Sequence, residues 1–158
     1  MPEKIRLLLG SDSAGFDYKE TILADMQDDD RVEIVENLVV MADDLDASSY
    51  PSVAITAAER IAAGEADRAI LICGTGIGVA IAANKVPGIR ATVAHDSFSV
   101  ERSILSNDCQ ILTMGQRVIG LQLARRLAKE WLSYAFDPFS HSQAHVREIV
   151  DYEDSLTD

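Results

Sequence analysis

Short apolar runs alternate along this chain with longer stretches in which apolar residues recur at helical spacing. The apolar runs are four to six residues long and rich in β-branched residues, as in buried strands. They predict five strands, at Ile5–Leu9, Val32–Val35, Ala69–Ile72, Ile89–Ala94 and Gln110–Met114. The intervening pattern predicts helices at Phe16–Met26, Pro51–Ala63, Ile77–Asn84, Phe98–Leu105 and Leu121–Tyr134, and a polar tail helix over about 142–154. Val40–Ser49 is acidic and irregular, which predicts a loop.

Strands that alternate with helices indicate a parallel sheet covered on both faces. We therefore predict an α/β fold, a Rossmann-like three-layer αβα sandwich with a five-stranded parallel sheet, as a single domain over residues 1–158. A strand order of 2-1-3-4-5 would place the ligand site between the carboxyl ends of the first and third strands. These ends carry Ser11–Ser13 and Cys73–Gly76.

The third strand runs into the turn Cys73–Gly78, which has glycine at alternate positions and leads into a small-residue helix. Such a turn presents backbone amides that can hold an anion or the negative oxygen of an intermediate. A thiol that faces a helix N-terminus ionises more readily, so Cys73 is a candidate base. The alternative role for Cys73 is that of a small buried hydrophobic residue. Thr75 could donate to the thiolate or the substrate, or cap the helix.

Asp12 in the first loop could move a proton between neighbouring sugar oxygens, or it could cap a turn or helix. A dinucleotide site is a competing interpretation of the glycine turn, because Asp96 follows Gly74 by 22 residues. We do not favour it, since the dinucleotide motif spaces its third glycine one position later and normally follows the first strand.

Composition narrows the possible partners. The net charge of −12 argues against binding to nucleic acid or to an anionic membrane surface. No apolar run approaches the roughly 18–20 residues of a transmembrane helix, and no signal peptide is evident. Cys73 and Cys109 are expected to be free thiols in the cytoplasm. Three histidines without a cysteine pair do not predict a metal site, and no cofactor is expected.

Several segments together resemble the family of type B ribose-5-phosphate isomerase and the galactose-6-phosphate isomerase subunits. They run through most of the chain in order: Gly10–Phe16, Tyr50–Pro51, Gly64–Asp67, Ile70–Gly78, Ile81–Lys85, Gly88–Ala91, Asn107–Asp108, Gly115–Gly120 and Trp131–Leu132. The resemblance implies a homodimer, sometimes paired into a tetramer, with active sites across the dimer interface. The implied reaction is a metal-free aldose–ketose isomerisation of a small sugar phosphate through a cis-enediol.

The resemblance also implies roles for particular residues. Cys73 would be the base, with Asp12 and Thr75 managing the hydroxyl protons. Asn107 would orient the sugar, and Arg117 would help hold the phosphate. The matching substrate positions are Ser13, Tyr50, Gly74, Gly76, Ile77, Gly78, Asn107, Arg117, His141 and His145. The tail, about 135–158, is expected to pack on the dimer partner.

The chain departs from the family pattern at positions that handle the substrate. Ser13 and Ser106 stand where the family has histidines. In the family, the histidine at the position of Ser106 opens the sugar ring. His141 and His145 stand where tail arginines usually bind the phosphate. A substrate that cannot close a furanose, such as a tetrose phosphate, would not need the ring-opening histidine. His95 could supply a replacement acid, although a surface loop histidine is the favoured interpretation.

We therefore predict a cytoplasmic sugar-phosphate isomerase whose substrate is a tetrose phosphate or another non-ribose sugar phosphate. Two alternatives remain open. The chain could be a non-catalytic sugar-binding or structural subunit, because four site positions are altered. It could also be one subunit of a hetero-oligomeric isomerase.

Overall fold

The structure, a computed structural model, describes residues 3–38 and 49–157. Within these ranges the strands are β1 (Ile5–Ser11), β2 (Val32–Leu38), β3 (Arg68–Cys73), β4 (Ala91–Val93) and β5 (Ile111–Gly115). The helices are α1 (Phe16–Gln27), α2 (Tyr50–Ala62), α3 (Ile77–Ala83), α4 (Ser97–Leu105), α5 (Leu121–Trp131) and α6 (Ser142–Ser155). A 3₁₀ turn at Ser13–Gly15 joins β1 to α1.

The hydrophobic pattern predicted these elements well, with every boundary within three residues of the observed one. β4 is shorter than predicted because the Ile89 N–H turns back to the Val86 carbonyl instead of joining the sheet. The predicted loop at Val40–Ser49 lies outside the described residues except for Ser49. Ser49 caps α2 through its Oγ, which accepts from the Ser52 N–H, and Pro51 lies in the first turn as predicted.

The strands form one parallel sheet in the order β2-β1-β3-β5-β4. The predicted order 2-1-3-4-5 is therefore wrong at one edge, where β5 lies between β3 and β4. The right-handedness of β-α-β connections explains this order. A connection that runs back across the sheet must place its helix on the face opposite to that used by the connections running the other way. The β4–β5 connection reverses direction, and α4 packs with α1 and α5 rather than with α2 and α3.

The alternation of side chains along each strand divides the core into two layers. Leu7 and Leu9 of β1 face the layer covered by α1, α4 and α5, whereas Leu8 faces α2 and α3. In β3, Leu71 and Cys73 belong to the same layer as Leu8. The register of β3 thus directs the Cys73 thiol towards α2 and α3 at the carboxyl end of the sheet.

Candidate active site

A cavity of about 470 Å³ opens at the carboxyl ends of β1 and β3. The chain leaves these strands for opposite sides of the sheet, and a crevice at this point is the usual ligand site of open parallel sheets. Eight predicted site residues and two further residues line the cavity: Asp12, Tyr50, Cys73, Gly74, Thr75, Ile77, Gly78 and Arg117, with Ala14 and Ile81.

Cys73 is the last residue of β3, and its side chain is 4% exposed. The Gly76 N–H donates to Cys73 Sγ at an N···S distance of 3.1 Å. A backbone donor held at this distance can also donate to a thiolate, so a negative charge on sulfur would meet a fixed dipole. The Cys73 carbonyl accepts from the Gln116 N–H at 2.9 Å, which fixes the end of the strand.

The glycine turn lies directly on the end of β5. Gly76 has a φ of +78°, and a Cβ there would come within 2.8 Å of the Met114 carbonyl carbon. A Cβ on Gly115 would lie 2.5 Å from the Thr75 carbonyl carbon. Thr113 Oγ1 donates to the Gly76 carbonyl at 2.6 Å from beneath the turn. The tip of β5 therefore determines the position of the Cys73–Gly78 turn.

The Asp12 carboxylate has a structural contact and remains open to the cavity. Its Oδ1 accepts from the Gly15 N–H at 3.1 Å and caps the 3₁₀ turn. Its Oδ2 accepts no hydrogen bond from the described residues. A Cβ on Gly15 would lie 2.2 Å from the Ile72 carbonyl oxygen, so this turn packs against β3 next to Cys73. The capping and proton-transfer interpretations of Asp12 are thus compatible.

Thr75 also has a capping contact. Its Oγ1 accepts from the Ile77 N–H at 3.2 Å, at the start of α3. This contact uses an oxygen lone pair and leaves the hydroxyl proton available. Thr75 is exposed to the cavity and can therefore cap the helix and donate to a substrate oxygen at the same time.

Two side chains lie directly on the glycines of the turn. A Cβ on Gly74 would come within 3.2 Å of Arg117 Nη1, and one on Gly78 would come within 2.5 Å of Tyr50 Cε2. The Arg117 N–H also donates to the Gly74 carbonyl at 3.0 Å. Arg117 forms no ion pair with the described residues, so its charge is available at the cavity. Asp12 and Arg117 are the charged residues of the lining.

Five predicted substrate residues do not line this cavity, and one of them, Gly76, is buried within the turn itself. Asn107 precedes β5, so it lies at the amino-terminal edge of the sheet, about one strand length (~13 Å) from Gly115. His141 and His145 lie at the start of α6, whose Glu153 accepts from the Gly88 N–H near the same edge. Ser13 is exposed in the 3₁₀ turn. Asn107, His141 and His145 are therefore not part of the lining of the Cys73 cavity in one chain.

A second cavity, also of about 470 Å³, contains Asn107 together with Arg90 and Cys109. The Arg90 guanidinium is committed to backbone carbonyls, since Nε donates to Asn107 at 3.0 Å and Nη2 donates to Asp108 at 2.9 Å. Burial raises the pKa of the Cys109 thiol to about 11, which keeps it protonated at neutral pH. The second cysteine is therefore a poor candidate for a reactive thiol.

Asn84, in the segment Ile81–Lys85 that carries the family resemblance, has a structural contact. Its Oδ1 accepts from the Ala91 N–H at 2.7 Å, and its Nδ2 donates to the Ala91 carbonyl at 2.8 Å. The side-chain amide thereby pairs with the free edge of β4 as a neighbouring strand would.

Two residues that support the site were missed or misread in the sequence. Thr113 is fully buried beneath the Cys73 turn, and a hydroxyl within an apolar strand was a signal that could have found it. His95 was interpreted as a surface loop histidine, and it does lie in the loop between β4 and α4, but not fully at the surface. It is half-buried, and its Nε2 accepts from the Gly115 N–H at 2.9 Å. It does not line the Cys73 cavity, so it is not placed to act as a replacement acid.

Two further properties concern residues 3–38 and 49–157. Their His, Cys, Asp and Glu side chains include no group of three or more that could hold a metal ion. None of their helices combines the length and apolar character needed to cross a membrane.

Comparison with known proteins identifies the family. A sequence profile described as ribose/galactose isomerase matches residues 7–149. The chain belongs to this family. It is 59% identical to D-erythrulose-4-phosphate isomerase 2 of Mycolicibacterium smegmatis, over 94% of this chain and 97% of that protein. It is 40% identical to D-erythrulose-4-phosphate isomerase of Pectobacterium atrosepticum, over 94% and 95%.

The fold agrees with that of solved family members. Ribose-5-phosphate isomerase B of Clostridium thermocellum superposes with a TM-score of 0.84 at 34% identity, covering 97% of this chain and all (100%) of that one. The family resemblance and the Rossmann-like αβα fold predicted from the sequence are therefore confirmed.

Proposed function

We propose that this protein interconverts D-erythrulose 4-phosphate and D-erythrose 4-phosphate. The observation that carries the proposal is one cavity lined by a thiol, a carboxylate and a guanidinium, at Cys73, Asp12 and Arg117. These are the groups that a proton-transfer reaction on a sugar phosphate needs. Two family members with 59% and 40% identity over nearly their whole length are D-erythrulose-4-phosphate isomerases, which favours this substrate.

The reaction moves one proton between neighbouring carbons. The Cys73 thiolate removes a proton from C1 of the ketose, and the C1–H electron pair forms the C1=C2 double bond while the C2 carbonyl becomes an enediolate oxygen. A proton passes from the C1 hydroxyl to the C2 oxygen. The Cys73 thiol then returns its proton to C2, and C1 becomes the aldehyde. No net oxidant or reductant is required.

The surrounding groups stabilise this path. Backbone amides of the turn from Gly74 to Gly78 would donate to the enediolate oxygen, where negative charge develops. Asp12 Oδ2 and the Thr75 hydroxyl would carry the proton between the two oxygens. Arg117 would hold the phosphate, and its charge is needed because a protein with net charge −12 repels anions in general.

The absence of a histidine at Ser106 fits a four-carbon substrate. In ribose 5-phosphate the C4 hydroxyl closes a five-membered ring, which must be opened by acid catalysis before isomerisation. In a tetrose 4-phosphate that oxygen is esterified, and the C3 hydroxyl could close only a strained four-membered ring. The substrate is therefore already open, and a serine at this position costs the reaction nothing.

We propose further that the protein is a homodimer in which Asn107, His141 and His145 of one subunit complete the cavity of the other. In support, none of these residues lines the Cys73 cavity of its own chain. α6 buries only Val146, and its Ile149, Tyr152 and Leu156 form an exposed stripe at helical spacing. The exposed Ile77 and Ile81 beside the cavity offer a second apolar surface for the same contact.

We assign the protein to the cytoplasm. Cys73 and Cys109 are both free thiols in the structure, and a base at Cys73 must stay reduced to act. Oxidants that convert Cys73 to a sulfenic acid or mixed disulfide should abolish turnover, and a thiol reductant should restore it.

The proposal is tested by measuring interconversion of tetrose 4-phosphate, ribose 5-phosphate and galactose 6-phosphate isomers. Wild type should favour the tetrose phosphate by at least about ten-fold in kcat/KM. Cys73→Ala should lose about 10³-fold or more in kcat, since it removes the base from both proton transfers. Cys109→Ala is the matched control, because it removes the other buried thiol and should keep kcat within about two-fold.

Solvent deuterium exchange distinguishes an isomerase from a sugar-binding subunit. In D₂O the wild type should incorporate deuterium at C1 of erythrulose 4-phosphate or C2 of erythrose 4-phosphate, whereas Cys73→Ala should not. Binding without exchange would support the non-catalytic alternative. Activity that appears only after addition of a second homologous chain would instead support a hetero-oligomer.

A further inference from the structure

β4 ends before its neighbour β5 does. The last pair between them is Val93 with Thr113, and β5 continues to Gly115. Beyond the last pair, the Gly115 N–H donates to His95 Nε2 at 2.9 Å. An imidazole nitrogen thus occupies the place of a strand carbonyl and satisfies a backbone donor that the short edge strand leaves behind.

Gly115 is the residue on which the proposed catalytic turn lies. It is paired in register with Cys73, and it is so close to Thr75 that a side chain at position 115 would clash with the Thr75 backbone. The next two residues, Gln116 and Arg117, donate their N–H groups to the carbonyls of Cys73 and Gly74. A shift of Gly115 would therefore move the thiol, the Thr75 hydroxyl and the Arg117 guanidinium together.

We propose that His95 is a positioning residue, which holds the tip of β5, and through it the Cys73–Gly76 turn, by accepting the Gly115 N–H in its neutral form. The inference rests on the proposed function, because the turn is the proposed proton-transfer centre. His95 itself does not touch the cavity. Its effect on turnover is indirect, through a hydrogen bond whose loss leaves a buried backbone donor without a partner.

The bond also defines the state of the imidazole. Nε2 can accept only when it carries no proton, so the ring is neutral with its proton on Nδ1. Burial lowers the pKa of His95 below its ordinary value of 6.5, and the neighbouring Asp96 carboxylate opposes this effect. The segments on either side, Thr113–Gly115 of β5 and Ser97–Ser99 of α4, have no titratable side chain. Protonation of Nε2 would leave its N–H facing the Gly115 N–H with no acceptor between them, which would break the contact.

Two substitutions at His95 distinguish the loss of the hydrogen-bond acceptor from the loss of a group that can be protonated. His95→Gln can place an amide oxygen near the Nε2 position and keeps an acceptor without a charge change. His95→Ala removes the acceptor. We expect His95→Ala to lower kcat by about ten- to a hundred-fold with KM changed less than about three-fold, as for a small displacement of reacting groups. His95→Gln should keep kcat within about three-fold of the wild type.

The pH dependence provides a signature that a purely structural histidine would not give. As pH falls below 6.5, the wild-type imidazole becomes protonated and loses the bond, whereas glutamine does not. The ratio of wild-type to His95→Gln kcat should therefore be constant at neutral pH and fall in acid. His141 and His145 are present in both proteins, so any contribution they make is expected to cancel in the ratio.

A spectroscopic measurement keeps the inference separate from the proposed function. With ¹⁵N-labelled histidine, the three imidazoles give few signals, and the one missing in His95→Gln belongs to His95. At neutral pH it should show protonated Nδ1 and unprotonated Nε2. That result in an inactive protein would refute the proposed function and leave the His95 contact standing. An active wild type whose kcat is unchanged by His95→Ala, or a His95 ring protonated at Nε2, would overturn the positioning role.

Discussion

At the scale of single residues, close contacts explain most of the glycines in the Cys73–Gly78 turn. Gly76 is the glycine of this turn whose φ is positive. Gly74 and Gly78 do not have a positive φ, and each lies against a proposed substrate-binding residue. A Cβ on Gly78 would overlap the Tyr50 ring and displace it, whereas a Cβ on Gly74 would require the flexible end of Arg117 to move by only a few tenths of an ångström. Substitution of Gly78 is therefore expected to affect turnover through Tyr50 rather than through backbone strain.

Two substitutions at Asp12 should distinguish its capping contact from its proposed catalytic role. Asp12→Asn keeps an oxygen that can accept the Gly15 N–H, so its free energy of unfolding should change by less than about 0.5 kcal/mol. The same variant loses the carboxylate and should lose about 10²–10⁴-fold in kcat. Asp12→Ala loses the cap as well and should be about 1 kcal/mol less stable than Asp12→Asn. Urea unfolding and steady-state kinetics of both variants provide the measurements.

The contrary outcome for Asp12 is equally distinct. If Asp12→Asn retains wild-type kcat and only Asp12→Ala is impaired, the carboxylate is a cap and nothing more. The proton between the two sugar oxygens would then have to pass through Thr75 or water.

At the scale of elements, β5 holds the turn that follows β3 in position. Thr113 is the clearest case, because it is fully buried and its hydroxyl donates to the Gly76 carbonyl at 2.6 Å. The Gly76 N–H in turn donates to the Cys73 sulfur. β5 therefore holds the carbonyl of Gly76, while the N–H of the same residue contacts the thiol.

Thr113→Val should uncouple the turn from β5 while preserving shape. Valine fills the same volume but leaves the Gly76 carbonyl without its donor, which should cost about 1–3 kcal/mol of unfolding free energy. We expect kcat to fall by about ten-fold, because the Gly76 amide is no longer fixed against the sulfur. Thr113→Ser retains the hydroxyl and should lose less activity than Thr113→Val. Equal kcat in Thr113→Val and wild type would show that the hydroxyl bond does not position the turn.

The elements were largely predictable from the sequence, and their arrangement was only partly so. The spacing of apolar residues, together with Pro51 and the glycine signals, located every described strand and helix. Whether a segment forms a strand or a helix depends largely on residues that are close in the sequence. The place of β5 between β3 and β4 depends on which face α4 covers, which local pattern does not determine. The short, partly polar β4 was a usable sign of an edge strand, whereas Ile111–Met114 is continuously buried as a central strand should be.

The site was predictable where its residues adjoin a strand end, and not where they act at a distance. Cys73 ends a strand, and Asp12 and Arg117 each follow one closely, so parallel pairing brings all three to one edge. The contact of His95 with Gly115 depends on the early end of β4, and no spacing in the sequence indicates it. The role proposed for Asn107 depends on a second chain, which the pattern of one chain cannot describe.

At the scale of the whole molecule, the positions of the proposed site residues and of the exposed apolar surface fit a symmetric assembly, whereas the charge opposes it. The first cavity of one chain contains Cys73 and Arg117, whereas Asn107 lies at the opposite edge of the sheet, in the second cavity with Ile149 of α6. A two-fold axis that brings the two edges together would form two identical sites and cover the exposed stripe of α6 at the same time. The net charge of −12 makes the same contact costly unless apolar surface drives it.

Mixed dimers test this arrangement directly. Cys73→Ala and Asn107→Ala homodimers should both be nearly inactive, since every site lacks one essential group. When the two variants are unfolded together and refolded as an equal mixture, half of the dimers carry both chains, and each of these has one intact site. Activity should therefore recover to about a quarter of the wild-type value. Cys73→Ala mixed with Asp12→Asn is the matched control, because both residues belong to the same cavity and every mixed site lacks one of them. Recovery in the control as well as in the test would mean that Asp12 and Cys73 act from different chains, and no recovery in either would place Asn107 outside the shared site.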